Sequence, residues 1–169
     1  YRELGALMTK AVTTHPESPT FHQYLVLALR QQGKLDAAQR AARRALERFP
    51  ASYQLWLERG DTQRALGRLE AAAESYRNAA DRAEQDPTPH SNLGAVLLKL
   101  KRYEPARAAL EQALAIRRAG ADVGGLDRIR LIKCLHALDM HHAARREIAR
   151  CRELGVKLPP DVRTLYPTQ

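Results

Sequence analysis

Residues 19–50 read PTFHQYLVLALRQQGKLDAAQRAARRALERFP, and the way this stretch recurs decides the fold. Its first half carries Phe21, Leu25 and Leu29 at a spacing of about four, which marks one face of a helix. Gly33-Lys34 breaks the pattern. The second half resumes with Leu35, Ala38, Ala42, Ala45 and Leu46, again at helical spacing, and its small residues let the two helices approach closely before Pro50 ends the segment. The stretch returns every 34 residues: Gly33 and Gly67, then Ala38, Ala72 and Ala106, then Ala45, Ala79 and Ala113 are separated by that interval. Two short amphipathic helices joined by a turn cannot bury their apolar faces alone. Such units must stack on one another, and a period of this length is the sign of it.

The phases of the repeat can then be followed outward. A second unit holds Trp56, Gly60, Gly67, Leu69, Ala72, Tyr76 and Ala79, and a third holds Leu93-Gly94, Leu97, Tyr103, Ala106, Leu110 and Ala113. A fourth, looser unit has Leu131, Leu135, Ala144, Ile148 and Cys151, displaced by four extra residues around Gly120, Ala121, Asp122 and Val123. Tyr1, Leu4, Met8, Ala11 and Pro16 match the second half of a unit whose first half is missing. In these residues the chain resembles the tetratricopeptide repeat (TPR) family over nearly its whole length. The resemblance implies an all-α fold, a right-handed superhelical solenoid of antiparallel helix pairs. The array is expected over 1–154, as a half-unit at 1–16 and units at 19–52, 53–86, 87–120 and 125–154, with a C-terminal cap and tail at 155–169. Helices are predicted at 2–14, 19–32, 35–48, 53–66, 69–83, 87–100, 103–118, 125–138 and 141–154. A short capping helix is predicted at 160–166, with Val162 and Leu165 forming one apolar edge.

Composition agrees. The chain has 28 Ala, a strong helix former, and only 5% aromatic residues. No apolar run approaches the roughly 20 residues that span a bilayer, so direct membrane insertion is not expected. The 22 Arg against 6 Lys, together with the Ala, suggest the codon usage of a GC-rich genome and hence a bacterial source. Beginning mid-repeat without Met, the sequence reads as a piece of a longer protein, so its compartment, bacterial cytoplasm or periplasm, stays open. Self-association through the open face of the first helix is expected from the same observation.

Catalytic signatures are missing: the sequence has no GxxxxGK[ST], GxGxxG, GxSxG or HExxH. Cys134, His136, Met140, His141 and His142 gather soft and imidazole side chains over a short span, but a metal needs three or four converging ligands and these fan out around a turn. Packing and solvation therefore explain them, and no metal or cofactor is expected. Glu70 and Glu74 read as a solvated face. Cys134 and Cys151 read as small buried hydrophobes, with a disulfide left open. In the second unit Arg59 and Gln63 stand where apolar residues normally pack. Arg59 is expected to snorkel or to pair with Glu74 or Glu47, with a partner-specific notch as the other reading.

Function in such a fold is argued from its surface. The resemblance implies a concave groove lined by the first helix of each unit and holding an extended peptide or a partner helix. The groove phases fall on Gln23, Tyr24, Leu27 and Arg30, on Glu58, Asp61 and Arg64, on Asn92, Ala95 and Lys99, and on Arg130, Lys133 and His136. The carboxylate clamp of chaperone-binding members would need Lys, Asn and Arg where this chain has Gln23, Leu27, Glu58, Leu126 and Arg130, so that ligand is rejected. Net charge is +9 and unevenly spread. Residues 117–152 hold nine basic groups against four acids, whereas 58–86 hold five against seven. An acidic segment of another protein would thus be steered to the last unit, with Arg130 and Lys133 facing it. The reading is a non-catalytic protein-binding scaffold, in the family's bacterial setting often part of an envelope or secretion assembly. A basic RNA-binding array is disfavoured, since Tyr24 is the one stacking aromatic on the groove phases. A regulatory array beside an enzyme is the other alternative.

Overall fold

The computed structural model describes residues 1–117 and 124–166. All regular structure among them is helical: α1 Arg2–Thr14, α2 Pro19–Gln31, α3 Leu35–Arg48, α4 Tyr53–Ala65, α5 Leu69–Ala80, α6 Thr88–Lys99, α7 Tyr103–Arg117, α8 Gly125–Ala137, α9 His141–Glu153 and α10 Pro160–Leu165. The predicted boundaries hold to within three residues. The four extra residues expected around Gly120–Val123 lie outside the described residues. The chain divides into two compact units, Tyr1–Glu84 and Gln85–Gln169.

The turn inside each helix pair has one geometry throughout. At the first, Lys34 N–H donates to Leu29 O at 3.0 Å and Gly33 N–H to Arg30 O at 3.0 Å, which satisfies carbonyls the helix end would leave open. This closure needs a left-handed residue, and Gly33 and Gly67 supply it at φ +73°. The third and fourth turns repeat the bonds, Arg102 N–H to Leu97 O at 2.9 Å and Met140 N–H to Leu135 O at 2.8 Å, but place Lys101 at φ 57° and Asp139 at φ 56°. Packing of the pair therefore dictates the turn even where the glycine is missing.

In Tyr1–Glu84, α1 packs on α2, α2 on α3, α3 on α4 and α4 on α5. Val26 sits against Ala38 and Ala42, and Leu55 against Ala45 and Leu46, all buried. Close approach is built into α4–α5, where a Cβ on Gly60 would stand 2.6 Å from the Tyr76 ring. In Gln85–Gln169, α6 packs on α7, α7 on α8 and α8 on α9. Here a Cβ on Gly94 would meet the Leu110 side chain at 2.5 Å. The capping helix α10 lies on α8, with Val162 fully buried. Leu165 is 39% exposed, so the apolar edge expected of Val162 and Leu165 together reduces to Val162: in so short a helix only one side chain reaches the neighbour.

Candidate partner-binding site

The groove phases of α2 and α4 come together as a polar network. Arg30 Nη2 donates to Glu58 Oε2 at 2.9 Å and lies 3.5 Å from Asp61 Oδ2. Asp61 Oδ1 accepts from the Tyr76 hydroxyl at 2.7 Å and from Arg64 Nη2 at 3.4 Å, while Arg64 Nε donates to the same hydroxyl at 3.1 Å. Glu58 is buried, and burial raises its carboxyl above the ordinary value, with Arg30 pulling the other way. Burial, then Asp61, pushes the Tyr76 phenol up as well. Arg30, Glu58 and Asp61 thus hold the helices together more than they face outward. Tyr24 at 43% exposure and Arg64 are the exposed groove-phase side chains here, with Gln23 and Leu27 half-buried.

A second network lies under α8. Asp127 is 2% exposed and accepts from Ser91 Oγ at 2.5 Å, from Arg130 Nη1 at 3.0 Å and from Arg117 Nε at 3.2 Å. Arg130 also reaches Ser91 Oγ at 3.3 Å. Its guanidinium is thus engaged by a buried carboxylate of its own helix while the side chain stays partly exposed. Arg128 Nη1 meets Glu147 Oε2 at 2.6 Å and ties α8 to α9. On the third unit's first helix Lys99 is exposed, and Asn92 and Ala95 are half-buried.

The remaining α8 positions are covered by the chain's own C-terminal segment. Lys133 Nζ meets Asp161 Oδ2 at 2.5 Å, and this hydrogen bond holds the Asp161 carboxyl below the usual carboxylate range. The Tyr166 hydroxyl lies 3.1 Å from His136 Nδ1 and 3.0 Å from His141 Nδ1, with the His136 and Tyr166 rings edge to face at 5.5 Å. Lys133 and His136 on α8 thus hold an acidic residue and, five positions on, an aromatic one of the same chain.

Comparison with known proteins decides the family. Two tetratricopeptide repeat models match, over residues 25–87 and 91–120, together more than half of the chain. The chain belongs to the tetratricopeptide repeat family. No curated protein matches the sequence. Among solved structures, the TPR fold is shared with YrrB, a TPR protein with an unusual peptide-binding site, at TM-score 0.75 and 19% identity over 95% of this chain and 75% of that one. MamA superposes at TM-score 0.76 and 12% identity over 98% and 85% of the two chains. MamA 41-end from Desulfovibrio magneticus RS-1 does so at 0.75 and 15% over 91% and 85%. TPR proteins are generally non-catalytic protein-interaction scaffolds.

Within this TPR frame the other singled-out residues find their places. Among the described residues no group of three or more His, Cys, Asp or Glu is placed to hold a metal ion. Cys134 and Cys151 are free and buried, and burial lifts the Cys134 thiol to about 11. No helix among the described residues is long and apolar enough to cross a membrane. Gln63 is buried and accepts from Ser75 Oγ at 2.6 Å, a compensation in the facing helix that its own segment does not announce. Arg59 pairs with neither Glu74 nor Glu47; its guanidinium lies 5.2 Å from the centre of the Trp56 ring. The sequence reading missed the Asp127 network and Tyr166. Ser91 and Asp127 are 36 residues apart, and no local pattern links them.

Proposed function

We propose that this TPR protein binds an extended segment of another protein through the first helices of its units, and that Lys133 and His136 on α8 take an acidic and an aromatic side chain of that segment. The observation carrying this reading is the seat of Asp161 and Tyr166 on those two residues, an intramolecular stand-in for such a ligand. YrrB, a TPR protein with a peptide-binding site, supports peptide binding by a protein of this fold. The Arg-rich and Ala-rich composition supports a bacterial source, and an envelope or secretion assembly is the setting we favour.

The pair Lys133–Asp161 is partly exposed and so is easily exchanged for an intermolecular one. Pull-down with the purified protein at two salt concentrations, read by mass spectrometry, identifies the partner. Titration then tests the site: Lys133→Glu weakens binding, whereas Asp161→Ala, which frees Lys133, tightens it a few-fold. Unchanged affinity in both variants removes α8 as the recognition surface. A uniform loss for unrelated RNA oligomers, with a steep salt slope, would instead favour nucleic acid.

A further inference from the structure

A cavity of about 210 Å³ on the side of α3 is lined by Asp36, Gln39, Arg40, Arg43, Arg59 and Arg68. The first four sit on one face of α3, at spacings of three, four and seven. Arg59 enters from α4, and Arg68 from the residue that opens α5. Four arginines and one carboxylate thus line the same cavity. Among the described residues Arg40, Arg59 and Arg68 have no ion pair, and Arg43 has only a distant, exposed one with Glu47 at 3.9 Å. Two of the four are held in place by uncharged partners: Arg68 Nη1 donates to Gln39 Oε1 at 2.8 Å, and Arg59 stacks on Trp56. Stacking fixes a guanidinium plane and leaves its edge donors open.

The repeat does not require this arrangement. One period later the positions of Asp36, Gln39, Arg40 and Arg43 are Glu70, Ala73, Glu74 and Arg77. Arg59 stands where the units on either side carry Leu25 and Leu93. A leucine there would bury more apolar surface, so the arginine costs packing that the fold alone would keep. Its neighbours then supply three more cations and only one acid. A fork of guanidinium groups with unfilled donors matches a phosphate, whose oxygens accept two parallel N–H bonds per arginine.

We propose that the Arg40–Arg43–Arg59–Arg68 cavity is a binding site for a phosphate dianion, either the free ion or a phosphomonoester. It uses none of the α8 residues and stands or falls independently of that site. Trp56 is the single tryptophan of the chain and touches Arg59, so its fluorescence reports occupancy directly. The intact protein is titrated with inorganic phosphate and with O-phosphoserine at constant ionic strength, by fluorescence and by calorimetry, with chloride and serine as controls. The expected result is saturable binding of phosphate. Phosphoserine binding in addition assigns the monoester, and phosphate alone assigns the free ion. Arg59→Leu, which restores the repeat's own residue, weakens binding about tenfold, equivalent to about 1.4 kcal/mol. Because that change also alters the tryptophan's surroundings, the exposed Arg40→Gln is the second variant, weakening binding several-fold with the phosphate-free melting temperature unmoved. Phosphate raises the melting temperature of the wild type more than that of Arg59→Leu at the same concentration. Failure of both anions to saturate, a response equal to chloride, or wild-type affinity in both variants overturns the site.

Discussion

The Tyr76 hydroxyl, carried on α5, donates to the Asp61 carboxylate on α4 at 2.7 Å, so a phase-conserving aromatic of one helix pins a groove-phase acid of its partner. The same hydroxyl accepts from Arg64, which makes one buried phenol the junction of the unit's polar face. Tyr76→Phe keeps the ring that packs on Gly60 but deletes both bonds. The expected loss is about 1.5–3 kcal/mol, the range for hydrogen bonds to charged groups. Urea unfolding monitored by circular dichroism measures it. A change below a few tenths of a kcal/mol would mean that Arg30 and Arg64 hold Asp61 without help.

Gly94 faces Leu110 so closely that a methyl group would stand 2.5 Å from its Cγ. Gly94→Ala should therefore destabilise by about 1–3 kcal/mol, the usual cost of overpacking, although Ala is the better helix former. Combining it with Leu110→Ala should recover part of the loss. Additive losses in the double variant would show that the clash is not the cause.

Lys101 occupies with φ 57° the turn position that Gly33 and Gly67 occupy in the two preceding pairs. A left-handed residue bearing a Cβ is strained by roughly 1–2 kcal/mol, and glycine recovers this less its own entropy in the unfolded chain. Lys101→Gly is expected to stabilise by about 0.5–1 kcal/mol, and Gly67→Ala to destabilise. Thermal melting of the two variants checks both signs. A lower melting temperature for Lys101→Gly would contradict the argument.

Stability should fall in alkali through Cys134. Burial raises its thiol to about 11 in the folded protein, from the 9.0 of an exposed one. Between those values the unfolded chain has released its proton and the folded one has not, so unfolding is favoured as pH rises. At pH 10 the penalty reaches roughly 1.4 kcal/mol at about 1.36 kcal/mol per unit. Comparing urea midpoints at pH 8 and pH 10 for the wild type and for Cys134→Ala isolates this part. An equal alkaline loss in both proteins would rule it out.

What the sequence determined by itself was the architecture. Helix spacing at Phe21, Leu25 and Leu29, the break at Gly33 and the 34-residue return are local facts, and a helix pair that buries its face only by stacking leaves little freedom in how it is used. The phases of Tyr24, Arg30, Glu58 and Arg130 were legible for the same reason. How far those side chains are engaged within the chain was decided by tertiary structure, since polar groups distant in sequence bond to one another there. Arg30 finds Glu58 across 28 residues, Ser91 finds Asp127 across 36, and Tyr166 reaches back 30 residues to His136. Periodicity places a residue on a face, but only the folded chain determines what lies within 3 Å of it. Arg59 marks the boundary: its misfit with the leucine phase was visible in the sequence, and its seat on Trp56 beside three other arginines required the fold.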